Sequence, residues 1–436
     1  MRIAYTTLGC KVNQYDTQGM RELLENAGHT SVPFDEVADV YLVNTCSVTQ
    51  TGEKKSRQMI SRAHALAPKA KIIVAGCYAQ RAPQEVLALP GVALALGTKD
   101  RSGVVSFVEA LDKERQINAV GPLKQETAFE EMTVTREGRT RAHMKIQEGC
   151  DRFCAYCIIP YTRGPLRSRT LADIRAQMEL LQAAGYKEIV LTGIHLMSYG
   201  KDLPQSVTLL DAIRQAEGLN GIRRIRLGSL EPQLLDEDYV ATIAKNDRIC
   251  RQFHLSLQSG SAGVLERMRR RYTPDGYRQC VRLLRQAMPD CAITTDIIVG
   301  FPGETQEEFA ETVAFAREIG FARIHVFPYS RRDQTPASAM PGQLSRSEKA
   351  KRAAALIELG EQMEKAYAGR MVGGVEDVLF EECIGGEWQG YTDTYVHVRA
   401  GGGEADLAGQ ILPVAITGMQ DLHLTGALRE KNESES

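Results

Sequence analysis

Residues 149–160 read GCDRFCAYCIIP, with thiols at Cys150, Cys154 and Cys157 and an aromatic ring, Tyr156, directly before the last. A closed structural zinc site takes four protein ligands from paired cysteines, and no fourth Cys or His stands here at a matching interval. A cube of four irons and four sulfides takes one thiolate per iron, so three thiolates leave one iron open to a small chelating molecule. The competing reading is three buried thiols on one face of a core helix. The flanking GCDRF and IIPYTRGP, with their glycines and prolines, argue instead for a loop.

That loop follows HMKIQE at residue 143, the first of six apolar runs of strand length. EIVLTGI, RIRLGS, FHLSLQ, AITTDIIVG and RIHVFPYS follow, mostly separated by stretches that hold an amphipathic helix. Six βα units with right-handed crossovers predict an incomplete (β/α) barrel, with a doubly wound open sheet as the competing arrangement. The cysteine loop then lies where a barrel carries its chemistry, beyond the carboxyl end of a strand.

Upstream, RIAYTT, DVYLVNT, KIIVAG and VALALG at residues 2, 39, 71 and 92 alternate with helical stretches and predict a small doubly wound parallel-sheet domain. Cys10, Cys46 and Cys77 each follow one of its strands. Carboxyl ends of parallel strands are neighbours in space, so three thiols far apart in sequence can converge on one point and hold a second cluster, again one ligand short. The alternative is three isolated thiols acting as small hydrophobes. Cys250, Cys280, Cys291 and Cys383 follow no such pattern and read as buried or incidental.

Residues 113–137 are a charged connector with one edge strand, and residues from 345 form a long helix capped by Ser345. Beyond 370, VEDVLFEE, TYVHVRA and ILPVAITGM, separated by glycine clusters, predict a small antiparallel barrel ending in a solvated tail. The whole is α/β, with domains expected over 1–113, 136–366 and 369–431.

The composition agrees. A chain of 436 residues divides into two or three domains, and 43% apolar with 25% charged residues is ordinary for a folded protein. A net charge of -2 gives no global attraction to a polyanion. The N-terminus lacks the apolar stretch of a secretory signal, and no window is long enough to span a bilayer, so a cytoplasmic location without membrane is expected. In a reducing compartment ten cysteines point to metal ligation, redox chemistry or buried thiols rather than disulfides.

TLGCKVNQYDT, NTCSVT, AGCYAQ, GCDRFCAYCIIPYTRGPLRSR, LTGIHLMSYG, HLSLQSGS and IVGFPGET together resemble the radical S-adenosylmethionine methylthiotransferase family over nearly the whole chain. GCKVNQYDT and GCYAQ are more similar to the MtaB type than to the MiaB type, whose first motif reads nearer GCQMNEYDS. The resemblance implies an N-terminal cluster domain, a radical S-adenosylmethionine core and a C-terminal TRAM domain. It implies two [4Fe-4S] clusters, on Cys10, Cys46 and Cys77 and on Cys150, Cys154 and Cys157, with S-adenosyl-L-methionine cleaved to a 5'-deoxyadenosyl radical at the second set. The first set would carry a sulfur that another S-adenosylmethionine methylates. The substrate implied is a tRNA anticodon stem-loop, in which N6-threonylcarbamoyladenosine at position 37 gains a methylthio group at C2. An electron donor and a sulfur donor are the further partners, and no catalytic side chain is implied beyond the cluster ligands.

Carried over residue by residue, the cofactor contacts fall on Tyr156, Gly193, Glu231 and Gln258. The GGE-like triplet of many radical enzymes is TGI here. For RNA, Arg163, Arg167 and Arg169 beside Tyr161, and Arg269, Arg270 and Arg271 beside Tyr272, are the expected phosphate and stacking contacts. The C-terminal domain departs from an RNA-binding role: from residue 370 onward it sets four Arg and Lys against twelve Asp and Glu. The alternatives are the same chemistry on isopentenyladenosine or a ribosomal-protein aspartate, a non-catalytic iron-sulfur RNA-binding protein, and a zinc protein.

Overall fold

The computed structural model describes residues 1–111, 116–123, 128–135, 140–401, 403 and 405–429. The domain limits expected at 113, 136 and 431 fall outside these residues. The N-terminal sheet is wholly parallel, with strands β1 (Arg2–Thr7), β2 (Thr30–Val32), β3 (Val40–Thr45), β4 (Lys71–Gly76), β5 (Val92–Leu96) and β6 (Ile117–Ala119) in the order β2-β1-β3-β4-β5-β6. Every residue of β3 is buried, because helices cover both faces of the sheet. Met20 and Leu24 of helix α1 (Lys11–Asn26) pack on one face; Ile60 and Ala63 of α2 (Gln50–Leu66) and Tyr78 of α3 (Cys77–Arg81) pack on the other. β6 is the edge strand expected in the connector. β2 was not foreseen, since three residues at an edge carry no period.

The central domain is built on β7 (Arg141–Lys145), the short pair β8 (Gln147–Glu148) and β9 (Arg167–Ser168), then β10 (Glu188–Thr192), β11 (Arg224–Leu227), β12 (Gln252–His254), β13 (Ala292–Val299) and β14 (Arg323–Pro328). Two parallel three-stranded sheets, β11-β10-β7 and β12-β13-β14, are joined by parallel bridges Ile225–Ile249 and Leu230–Leu255. The result is the open six-stranded barrel rather than a flat sheet. Along each strand the odd and even residues part company. Ala142, Met144, Ile189, Leu191, Ile225 and Leu227 join the hydrophobic core under the helices. The intervening Arg141, Glu188, Arg226, His254, Asp296 and His325 face the lumen, which is therefore polar instead of filled with branched side chains.

The N-terminal domain covers the gap between the first and last strands. On the β7 side, Lys145 Nζ reaches Asp16 Oδ1 of α1 at 2.6 Å. On the β14 side, Ser330 Oγ accepts from the Gln50 amide at 3.0 Å, and Arg332 Nη1 meets Glu53 Oε2 at 3.0 Å, both at the start of α2.

The helix Arg346–Gly369, capped by Ser345 as expected, runs through the limit foreseen at 366, since it contains no proline and its one internal glycine, Gly360, is helical. It leads to β15 (Val375–Ile384), β16 (Glu387–Tyr391), β17 (His397–Gly401), β18 (Ile411–Gln420) and β19 (His423–Leu428), a closed barrel in the order β15-β16-β17-β19-β18. It is mainly antiparallel, with β17 and β19 parallel. This barrel docks on the amino ends of the central strands. Arg224 Nη2 donates to the Asp377 carbonyl at 2.6 Å, Arg226 Nη1 to that of Asp393 at 2.8 Å, and the Arg141 guanidinium lies over the Tyr391 and Tyr395 rings. No helix among the described residues is long and apolar enough to cross a membrane.

Candidate iron-sulfur and substrate site

Cys10 caps α1 after β1, Cys46 follows β3, and Cys77 opens α3 after β4, on three adjacent strands. Their thiols are electrostatic neighbours: burial first, then Cys77 and Cys10, push Cys46 up to about 12. The second set sits in the loop after β8, where the Cys157 amide donates to the Cys154 carbonyl at 3.0 Å in a tight turn. Burial and then Cys154 push Cys157 up to about 12, and burial raises Cys150 to about 11. Cys10 is exposed, Cys46 and Cys157 are half-buried and the other three are buried; thiols raised as Cys46, Cys150 and Cys157 are give up their protons readily only to a metal.

Two glycines shape the cradles. Gly9, at φ +109°, lies so close to Cys46 that an added Cβ would stand 2.9 Å from the Cys46 Cβ and 3.2 Å from its Sγ. Gly149, at φ +74°, turns the chain against the Pro165 carbonyl, where a Cβ would stand 1.7 Å away. Among the described residues no three His, Cys, Asp or Glu side chains converge on a point tightly enough for a single metal ion. A buried donor is also left over: Arg163 Nε has no hydrogen-bond partner among the described residues, while its guanidinium neighbours Cys77 and Cys10. Three thiols and an unused cationic donor suit an anionic iron-sulfur body.

The two sets are close. Cys157 is followed by Ile158 and the helix Ile159–Arg163, and Arg163 at its end already faces Cys77. Ile158 and the five residues of this helix together span about 9 Å. Thr98 Oγ1 donates to the Thr162 carbonyl at 2.6 Å and fixes this helix to the N-terminal domain.

Among the expected cofactor contacts, Glu231 and Tyr156 share a neighbourhood. Arg152 Nη2 lies 2.8 Å from Glu231 Oε2, which also hydrogen-bonds His195 Nε2. Arg270 Nη2 lies 3.7 Å from Glu231 Oε1, and Arg270 Nη1 donates to Cys154 Sγ at 3.3 Å. Burial opposes the Glu231 charge, but His195, Arg270 and Arg152 together hold its carboxyl below the usual range. Burial raises the Tyr156 hydroxyl despite Arg270 beside it. Gly193 packs on Gln147, whose Oε1 accepts from the His195 amide at 2.7 Å and whose Nε2 donates to the Gly149 carbonyl at 2.7 Å. Gln147 thus ties the loop after β10 to the cysteine loop. Gln258, at φ +68°, is bonded through its backbone to Asp296 and Ile298 of β13. Arg152, His195 and Gln147 went unremarked in the sequence; the signal for Arg152 was its place inside CDRFC.

The RNA contacts divide. Arg163, Arg167 and Arg169 are buried and cannot grip phosphate. Arg101, Lys145 and Arg163 surround Asp16 and Glu148: Arg101 Nη2 to Glu148 Oε2 is 2.9 Å, Lys145 Nζ to Glu148 Oε2 is 3.1 Å, and Arg167 approaches the same carboxylate at 3.8 Å. Arg169 bonds Tyr15 of α1 at 3.1 Å and Gln177 at 3.3 Å. Arg270, nearly buried, belongs to the cysteine loop as described. These four cations were misread because carboxylates of the protein, Asp173 in the case of Arg169, and a thiol are their partners in place of phosphate. Arg269 and Arg271 are exposed, and Arg271 lines a cleft of ≈ 290 Å³ with Cys150, Arg152, His195 and Lys201.

Lys11, next to Cys10, was not singled out either. Its side chain is reached by solvent yet enclosed by surrounding walls, and the charges acting on it are those of Arg226, Arg141 and Glu188 of the barrel strands. Burial, then those two guanidinium groups, push its ammonium down to about 8.

Residues 2–97 match the uncharacterized protein family UPF0004, and residues 144–316 match the radical SAM superfamily. The chain is 43% identical over 423 residues to the threonylcarbamoyladenosine tRNA methylthiotransferase MtaB of Bacillus subtilis, covering 95% of this chain and 93% of that one. It is 34% identical to the tRNA-2-methylthio-N(6)-dimethylallyladenosine synthase of Pelotomaculum thermopropionicum, over 96% of both chains. In fold it is similar to the radical S-adenosylmethionine methyltransferase TsrM of Kitasatospora setae, with a TM-score of 0.57 at 17% identity over 77% of each chain.

Proposed function

The chain belongs to the radical S-adenosylmethionine tRNA methylthiotransferases, and from that premise we propose that it adds a methylthio group to C2 of N6-threonylcarbamoyladenosine at position 37 of tRNA. The observation that carries the reading is the pairing of two three-thiol sites separated by the single helix Ile159–Arg163. Each set supplies three thiolates toward a cube that takes one per iron. The nucleoside is assigned through the higher identity to the threonylcarbamoyladenosine enzymes than to the dimethylallyladenosine ones.

Cys150, Cys154 and Cys157 would hold the cluster that works with S-adenosylmethionine, and Cys10, Cys46 and Cys77 the cluster that works with sulfur. Together these groups supply radical activation of an aromatic C–H and methyl transfer to sulfur. The protein's own part is orientation. Glu231, held ionised by Arg152, Arg270 and His195, presents an anionic edge for an ammonium or a ribose hydroxyl. The buried His195 Nδ1 is without a partner among the described residues and is a spare hydrogen-bonding atom at that edge. Tyr156, Gly193 and Gln258 complete the proposed contacts. Arg270 donates toward Cys154 and offsets thiolate charge. Arg269 and Arg271 stand at the exposed rim, where they would meet the phosphates of an anticodon stem-loop. An electron donor and a sulfur donor would have to reach this same rim.

Mass spectrometry of tRNA nucleosides from cells with and without the protein tests the reading. The 2-methylthio derivative of threonylcarbamoyladenosine should disappear with the protein and return with it. Its persistence, or loss of the dimethylallyl derivative instead, would overturn the assignment.

A further inference from the structure

Lys11 projects from the N-terminal domain toward the barrel interior. Its charged neighbours are Arg141 at the start of β7, Glu188 on β10 and Arg226 on β11, and it is also within electrostatic reach of His325 on β14. Those residues belong to four different strands of the lumen, and α1, which Lys11 opens, packs against β7 with the Lys11 side chain left exposed, so the ammonium faces the lumen. Among the described residues its neighbouring charges are matched. Arg226 Nε pairs with Glu188 Oε1 at 2.7 Å, Arg141 Nη2 with Glu381 Oε1 at 2.8 Å, Arg224 also approaches Glu188 at 3.7 Å, and His254 Nε2 lies 3.3 Å from Asp296 Oδ2. Lys11 makes no hydrogen bond or ion pair among the described residues. An ammonium beside two guanidinium groups with no anion of its own is an electrostatic vacancy for a carboxylate.

We infer that Lys11 receives the threonine carboxylate of the substrate nucleoside and so selects a threonylcarbamoyl over an uncharged N6 substituent. This rests on the function proposed above. The chemistry of that nucleoside fits the position. Its only charge besides the phosphates is the threonine carboxylate. The ureido group on N6 can turn an N–H toward ring N1, which brings the threonine to the edge of the base that carries C2. Sulfur must be delivered to that edge, and Lys11 is bonded directly to Cys10 of the sulfur-side thiols. An alkyl substituent would enter the same space and leave Lys11 uncompensated, so the residue works against the wrong substrate as well as for the right one.

The test pairs a charge change in the protein with one in the substrate. Anticodon stem-loops bearing threonylcarbamoyladenosine as the free acid or as its methyl ester are given to reconstituted holoenzyme, wild type, Lys11→Gln and Lys11→Arg. Product formation at C2 is followed by mass spectrometry, with iron content and 5'-deoxyadenosine measured alongside. The wild type should favour the acid by about tenfold to hundredfold in kcat/KM, as for a hydrogen bond to a charged group. Lys11→Gln should bring the ratio near one, and Lys11→Arg should keep most of it. Damage to the neighbouring cluster would lower both substrates alike and leave the ratio. Should a variant turn over neither RNA, the ratio of their equilibrium dissociation constants gives the same comparison. An acid-to-ester preference unchanged in Lys11→Gln, or absent in the wild type, overturns the inference while the function stands. A wild type that forms radical product but modifies neither RNA overturns the function itself.

Discussion

Arg163 of the central barrel and Asp16 of helix α1 meet at 3.2 Å between Nη2 and Oδ2, both buried, across the boundary between two domains. Burial opposes the Asp16 charge, but Arg101, Lys145 and Arg163 hold its carboxyl below the usual range. Because Asp16 serves three cations, Asp16→Asn leaves them short of counter-charge and should destabilise the domain contact by about 3–5 kcal/mol. Thermal unfolding and limited proteolysis should show the N-terminal domain released first. Methylthio transfer should fall further than 5'-deoxyadenosine formation, which depends on the barrel alone.

The thiol sets should be separable. Replacing Cys10, Cys46 and Cys77 by alanine should about halve the iron of the reconstituted protein and abolish methylthio product while 5'-deoxyadenosine still forms. Replacing Cys150, Cys154 and Cys157 should abolish both products. Iron determination and anaerobic turnover check the two outcomes together.

Gly9 is a backbone and a packing requirement at once. In Gly9→Ala the methyl group would press on Cys46 at 2.9 Å from a conformation, φ +109°, that side chains rarely adopt. Iron at the N-terminal site should be lost, with the barrel cluster retained, as read by iron content and electron paramagnetic resonance.

Glu231→Gln removes the anion that Arg152, His195 and Arg270 share. S-adenosylmethionine cleavage should drop about tenfold to hundredfold, the worth of a charge-assisted hydrogen bond, with iron content unchanged. Equal cleavage by the variant would remove Glu231 from the cofactor site.

Glu188 makes the docking of the C-terminal barrel acid-sensitive. Burial opposes its charge, yet Arg226, Arg141 and Arg224 hold its carboxyl below the usual range. A carboxyl with a lowered folded-state pKa contributes its full stability above the unfolded value of about 4.3 and loses it as pH falls through the lower folded value. Trp388, the sole tryptophan, is buried in the C-terminal barrel and reports on it. The denaturant midpoint of its fluorescence should therefore hold from pH 7 to pH 5 and fall only below about pH 4.

The two three-cysteine motifs, the βα rhythm and the small C-terminal barrel are local features. Spacing, strand-length apolar runs and glycine-rich turns depend on residues near one another in the chain, and all were legible there. The short strands β2, β8 and β9 were not, because two or three residues are too few to display a period. The arginines of YTRGPLRSR show the harder limit. A basic run looks the same whether it faces solvent or carboxylates, and the partner of Arg163 lies 147 positions away. His195 and Arg152 likewise became site residues only when Glu231 was folded between them.

By itself the sequence determined which atoms are available to bind iron and on which type of scaffold they stand, since thiol spacing and strand periodicity are written in neighbouring residues. Tertiary structure alone decided which charges are spent on holding the domains together and which, like that of Lys11, have no ion-pair partner among the described residues. The reason is that neutralisation of a charge is a matter of distance in space, and the chain brings distant carboxylates and cations together only by folding.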